Sequence, residues 1–217
     1  MGVQYARDGA DELVYLDISA SREERRTFVD LVRRIACGID IPFTVGGGIG
    51  TPEDAARLLD AGADKISVNS AAIADPTLIS RIADKYGSQF VVVAIDAKCI
   101  DGRWTCTTHG GSRLTDLELF AWARQAQERG AGEILFTSMD HDGTRAGYAD
   151  AVYARLSEEL TIPVIASGGA GSIEDIRRVL TEGRADAALA ASIFHYGQIP
   201  IPELKRALKD TGINVRV

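Results

Sequence analysis

Asp96 directly follows the most apolar stretch of the chain, residues 90–95 with the sequence FVVVAI, and its carboxyl group could transfer protons. In parallel α/β sheets, ligands bind outside the carboxyl ends of the strands. Burial at such a position tunes a carboxyl group towards general acid or base catalysis. The structural alternative is a carboxylate that caps the next loop or pairs with Lys98. Position alone leaves both interpretations open.

Two glycine-rich stretches, residues 41–49 (IPFTVGGGI) and 162–171 (IPVIASGGAG), share one pattern. Each is an apolar strand that ends in glycines and then enters a helix, where backbone N–H groups can hold a phosphate. Two such loops predict a ligand with two phosphates, although glycines that only let helices pack closely on strands would give the same pattern. The residues expected at the two phosphate sites are Gly47, Gly48, Asn69 and Ser70 for the first, and Gly168, Gly169, Ala191 and Ser192 for the second.

Other polar residues fall at the two ends of the expected strands. Those at or just past the carboxyl ends could bind sugar hydroxyls, but each is equally suited to capping a loop. With Gly143 from the polar loop 140–144, this group consists of Asp17, Thr137, Ser138, Asp142 and Ser167. The charged residues at the opposite ends are Glu12, Lys65 and Glu133. Most charges at such positions are simply solvated, and the alternative is a charged ring that gates the axis of a barrel.

The two glycine loops belong to a longer internal repeat. Pro42 and Pro163 are 121 positions apart, and so are Gly47 and Gly168. The flanking sequences follow, because residues 11–17 match 132–138 at the same offset and residues 63–71 match 185–193 at offset 122. The chain therefore consists of two related halves.

Strands alternate with helices along both halves. The expected strands are residues 12–18, 42–45, 65–68, 90–95, 133–137, 163–166 and 187–190. The expected helices are residues 1–8, 21–37 with Ser21 as the cap, 52–61, 75–87, 114–129, 149–159, 173–182 and 202–210. Asp101-Gly102 predicts a hairpin turn between extended residues 98–107.

This alternation predicts a parallel sheet with right-handed crossovers. Seven strands are expected, and the counterpart of residues 90–95 would fall 121 positions earlier, before Met1. We therefore expect an α/β fold of the (β/α)8 TIM-barrel type over residues 1–217, as a single domain that lacks its first strand and most of its first helix.

Composition excludes several classes of protein. The chain has 217 residues, 46% hydrophobic, with a net charge of −7 and a pI of about 5.0, so a nucleic-acid partner is not expected. No apolar run approaches the roughly 20 residues of a membrane span, and no signal peptide is recognised. Three cysteines with no metal-binding spacing indicate a reducing cytoplasm, and the turn at 101–102 pairs Cys99 with Trp104 rather than with Cys106. His109, His141 and His195 lack a metal-ligand spacing, so neither a metal nor a cofactor is expected.

Many ordered motifs resemble one family, the cyclase subunit of imidazole glycerol phosphate synthase. They are DELVYLDI, FTVGGGI, GADKISVN, VVVAIDAK, GAGEILFTSMDHDGT, GYADAVY, IPVIASGGAG, DAALAASIFH and GINVRV. The resemblance implies a lyase of histidine biosynthesis that converts a bisphosphorylated ribulosyl ribonucleotide and ammonia into imidazole glycerol phosphate and aminoimidazole carboxamide ribotide. It also implies a partner glutaminase that supplies the ammonia.

The resemblance assigns roles to the residues named above. Asp96 matches one of two catalytic aspartates, and Glu12, Lys65 and Glu133 match members of a charged ammonia gate. The glycines, Asn69, Ser70, Ala191 and Ser192 match two phosphate grips. The first strand, which carries the family's other aspartate, has no counterpart, so impaired activity and self-association through exposed sheet edges are expected. The alternative is a non-catalytic, oligomerising barrel fragment that retains phosphate binding.

Overall fold

The structure, a computed structural model, describes residues 1–16 and 22–217. The strands are β1 Leu13–Leu16, β2 Phe43–Gly46, β3 Lys65–Val68, β4 Val91–Ile100, β5 Arg103–Thr108, β6 Arg113–Glu118, β7 Glu133–Ser138, β8 Val164–Ser167 and β9 Ala187–Ala188. The helices are α1 Gly2–Arg7, α2 Arg22–Ala36, α3 Pro52–Asp60, α4 Ser70–Ala74, α5 Thr77–Tyr86, α6 Leu119–Glu128, α7 Asp150–Glu159, α8 Ile173–Thr181, α9 Ser192–His195 and α10 Ile201–Asp210.

The first of two compact units comprises Met1–Val93 and Arg129–Ala131. Its strands β1, β2 and β3 pair in parallel, and β3 pairs in parallel with the first residues of β4. Val45, Ile66 and Val91 are fully buried, which places the core of this unit on the sheet. Strands that are apolar on both faces are typical of parallel sheets covered by helices.

The second unit comprises Ala94–Glu128 and Gly132–Val217. Its parallel strands run in the order β7, β8, β9, and the far end of β4 forms an antiparallel hairpin with β5. The hairpin continues into β6, which pairs with β5 alone among the strands of the described residues. Tyr153, Phe136 and Trp122 are the largest side chains in its core.

The internal repeat is visible in the hydrogen bonds of the two units. In the first, the Phe43 amide donates to Asp64 Oδ2 at 2.8 Å, and in the second the Val164 amide donates to Asp186 Oδ2 at 2.8 Å. The starts of α3 and α8 also correspond. Thr51 caps α3 by accepting from the Asp54 amide, and Ser172, 121 positions later, caps α8 by accepting from the Asp175 amide.

The seven parallel strands and the hairpin are confirmed, and the turn pairs Cys99 with Trp104 as expected. The predicted helix over residues 114–129 is wrong in its first part. Arg113–Glu118 is strand β6, because Leu114 pairs with Thr107 and the Thr115 hydroxyl donates to the Cys106 carbonyl at 2.8 Å. These contacts come from β5, which the local sequence does not reveal. Residues 114–129 alone contain no residue that would interrupt a helix.

Smaller differences concern ends and short elements. β4 continues past Asp96 to Ile100, since the hairpin extends it, and β9 covers only two of the four expected residues. Helix α4, with five residues, and helix α9, with four, are not predicted, because such short segments have no periodicity to detect. The expected cap Ser21 lies outside the described residues. No helix in the described part of the chain is long and apolar enough to cross a membrane.

The two corresponding helix caps should contribute similarly to stability. We expect Ser172→Ala and Thr51→Ala each to lower the free energy of unfolding by about 1 kcal/mol, because each leaves an amide at a helix start without its partner. Ser80→Ala within α5, where the serine caps nothing, should change it by less than about 0.5 kcal/mol. Urea denaturation measures all three variants. A cap variant that behaves like the Ser80 control would contradict the prediction.

Candidate active site

Asp96 lies where β4 turns from a parallel strand into one arm of the hairpin. It is opposite Thr107 in β5, and the Thr107 hydroxyl donates to the Asp96 carbonyl at 3.1 Å. Its strand neighbours Ile95 and Ala97 are fully buried. Side chains alternate along a strand, so the Asp96 carboxyl group is on the opposite face, which it shares with the half-buried Lys98.

The loop that follows β7 is fastened to the same hairpin. The Met139 amide donates to the Ala97 carbonyl at 3.0 Å, and the Cys99 amide donates to Asp140 Oδ2 at 2.7 Å. These bonds hold the predicted polar loop 140–144 beside the strand that carries Asp96. Sequence analysis did not single out Asp140 as the anchor, since only the fold brings residues 99 and 140 together.

Ser138 and Asp142 take structural positions in this loop. Ser138 is fully buried, and its hydroxyl lies 2.7 Å from His141 Nδ1. The Asp142 amide donates to the Ser138 carbonyl at 2.9 Å, which leaves the exposed Asp142 side chain at the loop surface. Gly143 follows at the exposed loop tip with a φ of +73°, and Thr137 is half-buried at the end of β7. Thus Asp142 and Gly143 are accessible to a ligand, whereas the Ser138 hydroxyl is already used.

The second glycine loop packs against this polar loop. Gly168 and Gly169 have φ values of +87° and +114° and are both buried. A Cβ atom on Gly168 would lie 2.7 Å from the Ser138 carbonyl oxygen, and one on Gly169 would overlap the Gly147 carbonyl oxygen. Both glycines therefore lie where a side chain would not fit. Of the other two residues predicted for the second phosphate site, Ala191 is exposed and Ser192 half-buried.

Two buried tyrosines that sequence analysis missed hold the strand ends of this unit. The Tyr153 hydroxyl lies 2.9 Å from the Phe136 carbonyl oxygen and 2.7 Å from that of Ser167, and it accepts from the Ser167 amide at 3.1 Å. The Tyr148 hydroxyl donates to the Leu189 carbonyl at 3.0 Å. Burial raises the pKa of both tyrosines well above the ordinary range, so both hydroxyls keep their protons. Aromatic residues in an amphipathic stretch carry no signal that separates such a role from ordinary packing.

The first glycine loop, in the other unit, is more open. Gly46 pairs with Ser67 across β2 and β3, so Gly47 and Gly48 emerge at the same sheet edge as Asn69 and Ser70. Gly47 is half-buried and Gly48 exposed, with φ values of +108° and +64°. Asn69 and Ser70, at the start of α4, are half-buried. The structure thus places the four residues predicted for this phosphate site at one sheet edge, where only Gly48 is exposed.

The predicted gate residues lie at the opposite ends of the strands. Lys65 Nζ lies 2.9 Å from Glu12 Oε2, and the lysine side chain is only 15% exposed. Glu133 begins β7 in the second unit and is half-buried. Asp17 lies outside the described residues.

The three cysteines are free thiols. Cys37 and Cys99 are exposed, whereas Cys106 lies in β5 opposite Ala97. Burial raises the pKa of the Cys106 thiol to about 12, with the Glu118 and Asp96 carboxylates adding to the effect. The Cys106 thiol is therefore protonated and unsuited to act as a nucleophile.

Parallel strands with glycine loops and polar residues at their carboxyl ends define an α/β protein of the TIM-barrel class. The family of histidine biosynthesis proteins matches residues 1–200, and the chain belongs to this family. Imidazole glycerol phosphate synthase subunit HisF of Bacteroides fragilis is 60% identical over 216 residues, which cover 100% of this chain and 86% of the relative. The subunits of the same name from Cytophaga hutchinsonii and Flavobacterium johnsoniae are 55% and 57% identical, covering 86% and 85% of those relatives. The expected truncation and loss of activity gain no support from these matches.

The contact between the second glycine loop and the polar loop predicts that a glycine-to-alanine substitution destabilises the protein more at Gly169 than at an open loop glycine. Gly169→Ala should lower the free energy of unfolding by about 3 kcal/mol or more, because the new Cβ meets the Gly147 carbonyl and the φ is unfavourable. Gly212→Ala, at a φ of +85° with open space around it, should cost only about 1 kcal/mol. Thermal and urea denaturation compare the two. Equal costs would show that the loop contact is absent or yields easily.

Proposed function

We propose that the chain acts as an ammonia-dependent cyclase of histidine biosynthesis and uses Asp96 for proton transfer. Its substrate would be the bisphosphorylated ribulosyl ribonucleotide, and its products imidazole glycerol phosphate and aminoimidazole carboxamide ribotide. The observation that carries the proposal is the 60% identity, over the whole chain, to a relative named imidazole glycerol phosphate synthase subunit HisF. Two glycine loops and one carboxylate at the carboxyl ends of parallel strands agree with it.

The proposed chemistry needs a group that moves protons while ammonia adds, the imidazole ring closes and the carbon–nitrogen bond to the departing carboxamide breaks. The Asp96 carboxyl group is a suitable acid and base because it lies on the less buried face of β4. The hairpin and the Asp140 anchor fix its backbone. Ring closure would then depend on one carboxylate held on a rigid strand.

The substrate's two phosphates would occupy the two predicted sites. At the first, the backbone of Gly47 and Gly48 is accessible, and Asn69 and Ser70 lie at the same edge. At the second, Ala191 is exposed and Ser192 half-buried, while Gly168 and Gly169 are buried. The sugar hydroxyls would be bound by Thr137, Asp142, Gly143 and Ser167, together with Asp17, which lies outside the described residues.

Asp96→Asn tests the proton-transfer role. We expect turnover of the bisphosphate substrate with saturating ammonium salt to fall by about a hundredfold or more, because the amide cannot exchange a proton. Binding of the substrate should change little, since the amide keeps the size of the carboxylate. Asp101→Asn is the matched control. It makes the same exchange at the exposed hairpin turn, where Asn-Gly forms the same turn, and should leave turnover unchanged.

Two results would contradict the role proposed for Asp96 or the proposed activity. Turnover that survives Asp96→Asn would assign proton transfer to another group. No turnover in the wild-type chain together with saturable binding of inorganic phosphate would favour the alternative function, a non-catalytic barrel that retains phosphate binding. Self-association through strand edges belongs to that alternative and stays a prediction.

A glutaminase subunit that delivers ammonia through the gate residues is the proposed partner. Lys65 and Glu12 already form an ion pair, and Glu133 begins a strand in the second unit. An ammonia gate at the amino ends of the strands would place the partner away from the substrate face. The word subunit in the relatives' names agrees with a partner.

Lys65→Met tests whether Lys65 acts in ammonia delivery or in the catalytic chemistry. With the glutaminase present, we expect glutamine-supported turnover to change by about fivefold or more, because the ion pair with Glu12 is lost. Turnover with saturating ammonium salt should stay within about twofold, since free ammonia can reach the substrate from the open face. Lys209→Met, on the exposed side of α10, is the control. Equal losses with both nitrogen sources would assign Lys65 to stability or to the chemistry instead.

A further inference from the structure

Gly147 and Tyr148 form a dipeptide that joins two parts of the second phosphate site. The Gly147 amide donates to the Gly169 carbonyl at 2.9 Å, which fastens the dipeptide to the glycine loop. The next residue, Tyr148, is only 4% exposed, and its hydroxyl donates to the Leu189 carbonyl at 3.0 Å. Leu189 lies two residues before Ala191. One dipeptide thus holds both the glycine loop and the segment that leads to Ala191 and Ser192.

The segment after β9 needs such an anchor. β9 is only two residues long, and its ladder with β8 ends at Ala188. Beyond it, the Leu189 amide donates to the Ala166 carbonyl at 2.7 Å, and the Tyr148 hydroxyl satisfies the Leu189 carbonyl. Both backbone groups of Leu189 are therefore fixed. The direction in which the chain leaves for Ala191 and Ser192 depends on this residue.

The Tyr148 side chain is itself held firmly. Its ring packs edge-on against the ring of Tyr153, with centroids 6.2 Å apart, and Tyr153 is fully buried. Gly147 lies against Asp175 near the start of α8, so a Cβ on it would be 3.1 Å from the Asp175 carboxylate. A hydroxyl on a ring with so little freedom acts as a fixed donor.

The first phosphate site has no equivalent of this dipeptide in the sequence. The residues 121 positions before Gly147 and Tyr148 are Arg26 and Thr27. Neither residue is a tyrosine. The strands, caps and glycines repeat between the halves, but the tyrosine belongs to the second half alone.

We propose that Tyr148 is a positioning residue for the second phosphate site and sets its affinity for a phosphate group independently of the first site. The inference rests on the proposed function, since it requires that Ala191 and Ser192 bind phosphate. Tyr148 does not touch the ligand. It holds the Leu189 carbonyl, and with it the backbone that presents the Ala191 and Ser192 amides.

Tyr148→Phe tests the role, because the ring stays and only the hydroxyl is lost. In titration calorimetry with inorganic phosphate, we expect the wild-type chain to bind two phosphates and the variant to bind one of them about tenfold more weakly. In steady-state assays, the KM for the bisphosphate substrate should rise by a similar factor while kcat stays within about twofold. Tyr86→Phe, in α5 of the first unit, is the matched control and should change neither constant.

A double-mutant cycle identifies which phosphate is affected. The effect of Tyr148→Phe should be non-additive with that of Ser192→Ala and additive with that of Ser70→Ala, because only Ser192 shares the anchored backbone. The positioning role would be overturned if the binding of both phosphates were weakened equally, or if kcat fell while KM stayed unchanged. Unchanged affinity of the Tyr148→Phe variant for both phosphates would overturn the role as well. A wild-type chain that binds no phosphate would instead overturn the proposed function, and this inference with it.

Discussion

The backbone contact between Gly169 and Gly147 holds the second glycine loop against the segment that follows the polar loop. A Cβ on Gly169 would overlap the Gly147 carbonyl oxygen, and the amide of Gly147 returns a hydrogen bond to the Gly169 carbonyl. Gly169 can approach the Gly147 carbonyl this closely only because it has no side chain. The polar loop, the Tyr148 anchor and the segment leading to Ser192 all follow from this contact.

The two halves show how one architecture can be adapted to two local tasks. Both keep the aspartate that accepts an amide at the start of a strand, and both keep a hydroxyl cap at a helix start. The glycine loops have diverged. Gly48 is exposed in the first, whereas Gly169 is buried under the polar loop in the second. Equal sequence motifs therefore correspond to an open loop in one unit and a covered loop in the other.

Around Asp96, rigidity comes from the hairpin and from Asp140. The hairpin prolongs β4 beyond the parallel sheet, and the Asp140 carboxylate accepts from the Cys99 amide. A carboxylate used for proton transfer benefits from a backbone that does not move, because its distance to the reacting atoms decides the rate. The buried, protonated Cys106, opposite Ala97 in β5, lies on the other face of the hairpin.

Local patterns in the sequence predict the seven parallel strands, the internal repeat and the hairpin turn. Apolar runs, glycines and the fixed offset are local or periodic signals, so residues such as Asp96 and Ser192 could be placed without coordinates. Tertiary structure alone decided that residues 113–118 form a strand, since its partner β5 supplies the hydrogen bonds. The tertiary structure also brings the Ser138 hydroxyl to the His141 ring and the Tyr148 hydroxyl to the Leu189 carbonyl. These pairings depend on how loops fold back in space, and no spacing in a single sequence encodes that distance.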